Sequence, residues 1–440
     1  MTTKCPANLL LGVATSDYQI EGAWDEDGKG ESNWDRWSHT AGHVKNGDTG
    51  DTACDHYHRY PDDIAIMRQL GLEAYRFGIS WSRVFPEGGG RLNEKGLAFY
   101  ERLVDALLEA DIIPFPTLYH WTNPQALEEK GGWQNREMVE RFAEYCSTVT
   151  HRLGDRVKSW LILNEPWVVM YQGYNEGLFP PGIKDPLTAI RVGHNLNLAQ
   201  GLASKAIRSQ RSDLKLGSAF DMAGVYPATQ SEEDRKAAER MEGFKNYWFL
   251  DPILLGRYPK VFPIDVQSLV GTIDWKEVQA NLDFIGINLY SRLVVAHDAS
   301  VPWINVRTIE PKNTERTDSG WEIYPEAMRQ VVLRTSVRYK LPIFITETGC
   351  ACNDKPNKKG EVVDQKRVDF LRRYLREVAL ATNQGADIRG CFVWSLLDNF
   401  EWLEGYSLRF GLTYVDYTTQ KRIIKESGRW FANLIRTRLL

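Results

Sequence analysis

The sequence predicts an α/β fold, a single (β/α)8 TIM barrel with long C-terminal-face loops, as one domain over residues 1–440. Three observations lead there. Eight short apolar runs alternate with segments of helical period, and such alternation builds a parallel sheet closed on itself. Two of the runs end in a carboxylate, Glu165 and Glu347, at the strand ends where barrels of this kind keep their functional groups. The long segments rich in Gly, Asp, Asn and Trp follow strands, so they gather at one mouth.

The strand runs are 9–14, 74–80, 112–119, 158–164, 214–220, 282–289, 342–347 and 388–395. The fourth, Trp160-Leu161-Ile162-Leu163, leads into Asn164-Glu165-Pro166. The seventh, Pro342-Ile343-Phe344-Ile345-Thr346, leads into Glu347-Thr348-Gly349. Helical patterns fit 61–70, 94–110, 137–153, 187–210, 231–250, 324–338, 364–382 and 422–437. Leu97, Leu103, Val104, Leu107 and Leu108 illustrate the spacing of a helix with one apolar stripe. The connecting loops 15–60, 83–93 and 291–323 are long enough to shape a pocket. No linker, low-complexity stretch or repeat divides the chain.

Composition narrows the class. With 43% hydrophobic and 25% charged residues and a net charge of −4, the chain reads as an ordinary globular protein. It has no block of like charge for nucleic acid or an anionic membrane. The N-terminus shows no signal-peptide hydrophobic region, and no apolar run approaches a membrane span. The six cysteines are scattered, and Cys350-Ala351-Cys352 is too close for ordinary disulfide geometry. A cytoplasmic protein is expected; oligomeric state has no sequence signal. Fifteen Trp, 19 Tyr and 17 Phe form a high aromatic load. Flat indole faces suit the C–H faces of sugars, and they equally suit a large core.

Position decides between those two uses. Gln19 follows the first strand, and Arg76 and Trp81 come with the second. His120 and Trp121 end the third, Asn164 and Glu165 the fourth, Asn288 and Tyr290 the sixth. Glu347 ends the seventh, Trp394 the eighth, and Glu401 and Trp402 lie in the loop beyond. Taken singly, His120 reads as a structural histidine, Trp121 as core, Asn164 as a turn and Arg76 as the buried partner of a carboxylate. Their joint arrival at successive strand ends points to a site for a neutral, hydroxyl-rich ligand.

The motifs are Ala14-Thr15-Ser16 through Tyr18-Gln19-Ile20-Glu21-Gly22, Tyr75-Arg76-Phe77, Leu118-Tyr119-His120-Trp121, Leu163-Asn164-Glu165-Pro166, Asn288-Leu289-Tyr290, Ile345-Thr346-Glu347 and Trp394 through Trp402. With them, from about Leu11 to Arg429, the chain resembles glycoside hydrolase family 1, the β-glucosidase and β-galactosidase family. The resemblance implies a retaining β-glycosidase, first of all a β-glucosidase, with Glu165 as acid/base and Glu347 as nucleophile. It implies support from Arg76, Asn164, Asn288 and Tyr290. The implied sugar subsite holds Gln19, His120, Trp121, Asn164, Asn288, Tyr290, Trp394, Glu401, Trp402 and Phe410, with Trp167 and Trp321 on the aglycone side. A small carbohydrate such as a β-glucoside or a cellobiose-like sugar is the expected partner. No cofactor and no metal enters the scheme.

Five positions depart from the family's usual pattern: Asp17, Thr122 and Asn123, Thr348, and Asp221 where Asn is common. Rival readings fit less well. A metal-dependent hydrolase would need more ligands than His120 at the strand ends. A Schiff-base lyase would need a lysine there, whereas Lys158 and Lys215 lie at strand starts. A non-catalytic sugar binder would have lost a carboxylate. A thioglucosidase usually has Gln at position 165, and a 6-phospho-β-glycosidase usually lacks a carboxylate at 401. Galactosidase, fucosidase or broad β-glycosidase activity stays open.

Overall fold

Eight parallel strands close into a barrel in the computed structural model, which describes residues 4–260 and 265–440. They are β1 (Leu10–Ala14), β2 (Ala74–Gly78), β3 (Ile113–Thr117), β4 (Ser159–Asn164), β5 (Lys215–Asp221), β6 (Ile285–Asn288), β7 (Ile343–Thr348) and β8 (Ile388–Trp394). Each pairs with its neighbours in sequence, and β1 closes the ring on β8, Leu10 lying against Gly390 and Ala14 against Trp394. The strands are covered on both faces, which is why they read as apolar runs rather than alternating ones; β2 is buried throughout.

Helices α1 (His56–Leu70), α2 (Glu94–Glu109), α3 (Arg136–Leu153), α4 (Pro186–Gln210), α5 (Glu232–Glu242), α6 (Glu326–Tyr339), α7 (Gln365–Asn383) and α8 (Glu426–Thr437) belong to the outer layer. On α2, Leu97, Leu103, Val104 and Leu107 are buried and Leu108 is exposed, off the apolar stripe. Starts are set by caps. Asn135 accepts from the Glu137 N–H, and Asp185 accepts from those of Leu187 and Thr188, with Pro186 first in its helix. Among the described residues, no helix is long and apolar enough to cross a membrane.

Three segments differ from the sequence reading. The helix expected over 231–250 stops at Glu242, passes through a π-helical turn at Gly243–Tyr247, and resumes at Leu250–Leu255. The helix expected from 422 begins at Glu426, because Lys421–Ile424 pair with Thr413–Asp416 in a hairpin. The loop over 291–323 contains Arg292–His297 and Val306–Ile309, which join Gly224–Pro227 in a small sheet beside the barrel.

Phenyl rings fill the barrel below the functional strand ends. Phe115 lies 5.1 Å from Phe392, 5.3 Å from Phe344 and 5.6 Å from Phe284, ring centre to ring centre. Such bulk needs bare backbone opposite. A Cβ on Gly217 would come 2.3 Å from the Phe284 ring, and one on Gly390 would come 2.7 Å from Phe344. The closed floor leaves the C-terminal mouth as the open end.

Candidate active site

The chain turns sharply where β4 ends. Glu165 has φ +48°, and Pro166 starts the helix Pro166–Met170 directly behind it. Its N–H donates to the Ala219 carbonyl on β5 at 2.8 Å, which pins the turn to the barrel wall. Trp121 and Trp402 also have positive φ, +75° and +52°. A left-handed non-glycine residue costs about 1–3 kcal/mol and persists where the surroundings over-determine it.

A single hydrogen-bonded network joins the two carboxylates. Arg76 is fully buried on β2. Its Nη1 donates to Glu347 Oε1 at 2.5 Å and to the Thr346 carbonyl at 3.0 Å. Its Nη2 donates to Asn164 Oδ1 at 2.7 Å, and its Nε to Thr117 Oγ1 at 3.1 Å. Tyr290 donates to the other oxygen of Glu347 at 2.5 Å. Asn288 donates to Glu165 Oε1 at 2.6 Å and to Asn164 Oδ1 at 2.9 Å. The Thr346 hydroxyl donates to Asn288 Oδ1 at 2.6 Å, which fixes the way that amide faces. Asn164 then has its N–H₂ free to donate to His120 Nε2 at 3.1 Å.

The environments of the two carboxyls are unequal. Burial pushes Glu165 well above the carboxylate range, and the charges of Asp221 and Glu347 push it further. Burial also raises Glu347, against the pull of Arg76 and the Tyr290 hydrogen bond. The first proton taken up by the pair therefore belongs on Glu165. Arg76 does not bring Glu347 below its ordinary range, because desolvation outweighs the ion pair. Burial, with Arg76 beside it, drives His120 well down, so its ring is neutral. Tyr290 is raised well up by burial and Glu347 and stays a phenol donor.

Aromatic rings line the mouth. Trp121 and Trp402 lie 4.6 Å apart, and His120 stacks near Trp394 at 5.8 Å and Trp402 at 6.1 Å. The Trp121 indole N–H is held by the Asn164 carbonyl at 3.1 Å. Gln19 accepts from Ser16 and donates to the Phe400 carbonyl at 2.7 Å, with Glu401 Oε2 at 3.5 Å. Burial and the nearby Glu347 push Glu401 up to about 8. Phe410 is buried and packs 5.9 Å from Trp321, which is 42% exposed and also 5.2 Å from Tyr290. A cavity of about 800 Å³ opens there, between Trp321, Glu401, Trp402 and Phe179. Trp167 stacks on Tyr171 at 4.4 Å, on the Glu165 side.

One strand-end residue goes elsewhere. Trp81 is fully buried against Tyr145, 5.3 Å away, and Phe142 of α3, and so belongs to the core. Three side chains of the network escaped the sequence reading. Thr346 and Thr117 are unremarkable strand residues, and Tyr374 reaches from α7 to donate to the Tyr290 carbonyl at 2.8 Å. Lys245, paired with Asp221, had no signal in sequence.

Known proteins match this chain in sequence and in fold. The profile described as glycosyl hydrolase family 1 matches residues 1–439. Beta-glucosidase A of Thermotoga maritima is 47% identical over 438 residues, 98% of each chain. Beta-glucosidase A of Acetivibrio thermocellus is 43% identical over 450 residues, again 98% of each. Among solved structures, the beta-glucosidase from Thermotoga maritima in complex with glucoimidazole superposes with a TM-score of 0.95 at 46% identity, covering 99% of this chain and 100% of that one.

Proposed function

The chain belongs to glycosyl hydrolase family 1, and from that membership we propose that it is a retaining β-glucosidase. It removes terminal non-reducing β-D-glucosyl residues from oligosaccharides and from aryl or alkyl glucosides, through a covalent glycosyl-enzyme. The observation that carries this reading is the unequal pair of buried carboxyls. Glu347 sits between Arg76 and Tyr290 on β7, and Glu165 on β4 is the one that keeps a proton.

Glu347 attacks the anomeric carbon and forms a glycosyl ester as the bond to the leaving oxygen breaks. Glu165 gives its proton to that oxygen. It then takes a proton from water as the water attacks the anomeric carbon and the ester bond breaks, which returns Glu347 as a carboxylate. Arg76 and Tyr290 hold the Glu347 oxygens in place. Asn164 offers its amide to the sugar 2-hydroxyl, a contact that strengthens in the transition state. Gln19, His120, Trp121, Trp394, Glu401, Trp402 and Phe410 receive the sugar, and Trp167 and Trp321 flank the leaving group.

The whole chain is read as one catalytic unit acting on small carbohydrates released from cellulose-like material. Six cysteines, all unpaired and buried, support a reducing, cytoplasmic setting. A panel of aryl β-glycosides with cellobiose and a 6-phosphoglucoside tests the reading. Glucosides are the best substrates, galactosides and fucosides weaker ones. Faster turnover of the 6-phosphate would replace it with a phospho-glycosidase.

A further inference from the structure

On the leaving-group side, the scheme above leaves a charge unused. Asp221 closes β5 in register with Asn288, the residue whose amide donates to Glu165. Asp221 Oδ2 accepts from Lys245 Nζ. Lys245 stands on the π-helical turn Gly243–Tyr247, and its ammonium lies 3.6 Å from the centre of the Trp167 ring. Trp167 in turn belongs to the first turn of the helix that Glu165 begins. That helix runs into a second π-helical turn, Tyr171–Asn175, and Phe244 lies 5.7 Å from Trp167 and 6.1 Å from Tyr171. The two irregular turns thus meet through the Trp167, Tyr171 and Phe244 rings, beside the pair.

Stability does not account for this arrangement. The Lys245 and Asp221 side chains are only 8% and 22% exposed, and an ion pair so removed from water is at best a weak net stabiliser. π-helical turns are rare and recur at functional sites.

We propose that Asp221, anchored by Lys245, is a positioning residue that keeps a negative charge against Glu165 and so holds that carboxyl protonated until the leaving group takes the proton. The inference rests on the reading of Glu165 as the acid. The groups facing Glu165 are Asp221 from β5, Asn288 from β6, Tyr290 just beyond it, Glu347 from β7 and Lys245 from the π-helical turn. Among the charges, Asp221 acts most strongly, ahead of Glu347, and Lys245 opposes it less strongly. The Asn that the family pattern leads one to expect at 221 would keep the shape and remove the charge.

The experiment compares pH profiles of kcat/KM for wild type, D221N and K245M. It uses two glucosides, one with a poor leaving group and one with 2,4-dinitrophenol, which leaves without a proton. The alkaline limb of the first profile reports the acid of the free enzyme. In D221N it moves to lower pH by about one unit, the low end of the shift a neighbouring charge produces. In K245M it moves to higher pH. The dinitrophenyl profile acquires no alkaline shift in either variant, although its acid limb, set by Glu347, also feels the charge of Asp221. Opposite signs do not arise from loosened packing. An unmoved limb in D221N, or the same direction in both variants, overturns the proposal. Should one variant fail to fold, the sign in the other decides. A wild type whose alkaline limb ignores leaving-group acidity overturns the assignment of Glu165 itself, and the inference with it.

Discussion

Thr122 donates a hydrogen bond to Asp17 across 2.7 Å in a fully buried contact that joins the loop after β1 to the loop after β3. In the sequence the two look like separate departures from a family pattern; in the structure they are one interaction. It braces Gln19, two residues beyond Asp17, against Trp121, the residue before Thr122. The other Asp17 oxygen has no partner among the described residues. Burial, reinforced by Glu21, pushes this carboxyl up to about 7.

That shift fixes a dependence of stability on pH. The folded state holds the Asp17 proton more tightly than the unfolded chain, whose carboxyl titrates at about 4. The contribution is therefore fully present below about pH 4 and is lost as pH rises towards about 7. Each unit of displacement is worth about 1.4 kcal/mol. Asp17→Asn keeps an acceptor for Thr122 and does not titrate. Thermal unfolding should show the variant gaining on wild type between pH 5 and pH 8. An equal difference in Tm at both pH values would count against the shifted carboxyl.

Net retention is expected, because two carboxyls from β4 and β7 flank one site. Proton NMR of the first-formed sugar checks it: the β-anomer should appear first from a β-glucoside. Initial release of the α-anomer would mean that water, not Glu347, attacks first.

Glu165→Ala and Glu347→Ala should fail differently. Loss of the acid should cost on the order of 10²–10⁴ for a poor leaving group and far less for 2,4-dinitrophenol. Loss of the nucleophile should abolish turnover of both. Equal sensitivity to leaving-group acidity in the two variants would reverse or cancel the assignment.

Glu401 should make discrimination against 6-phosphoglucosides depend on pH. Raised to about 8 by burial and Glu347, its side chain is mostly neutral at pH 6 and charged at pH 9. A phosphate monoester is already close to its full charge above about pH 6. The preference for glucoside over 6-phosphoglucoside in kcat/KM should therefore widen as pH passes 8. Glu401→Ser should weaken glucoside turnover and flatten that trend. A preference that is flat from pH 6 to pH 9 in wild type would exclude Glu401 as its source.

Gly217→Ala should destabilise the barrel without touching the mouth. Its Cβ would meet the Phe284 ring at 2.3 Å. Phe284 is itself wedged against Phe344 at 4.9 Å and has little room to yield. Overpacking of this kind costs about 1–3 kcal/mol. Denaturant unfolding should show the loss, with KM for a glucoside unchanged.

The barrel was legible because its signals are local. Apolar runs mark doubly covered strands, and the side chains that gather at the candidate site stand next to them in sequence, as Asn164 and Glu165 do on β4. What escaped depends on distant partners. Gly224–Pro227 pairs with Arg292–His297 across a long insertion, and four-residue strands of mixed polarity carry no period of their own. The pattern at Arg422-Ile423-Ile424 fits a helix until Thr413–Asp416 claims it as a hairpin. Thr346 and Lys245 act by orienting other side chains and Tyr374 by holding the Tyr290 backbone, and nothing in their residue type announces that. Asp221 was visible as an oddity, yet its meaning required its partner.

The indoles at the mouth give this site an optical signature. Trp402 lies 4.6 Å from Trp121 and 4.5 Å from Trp34, with its ring tilted against both. Chromophores at such separations share their excited states, so near-ultraviolet circular dichroism from the group is set by their mutual tilt. A sugar bound beside this group changes the polarity around it, which shifts emission as well. Occupancy of the pocket is thus readable in the unlabelled protein, in real time and with inactive variants that release no product.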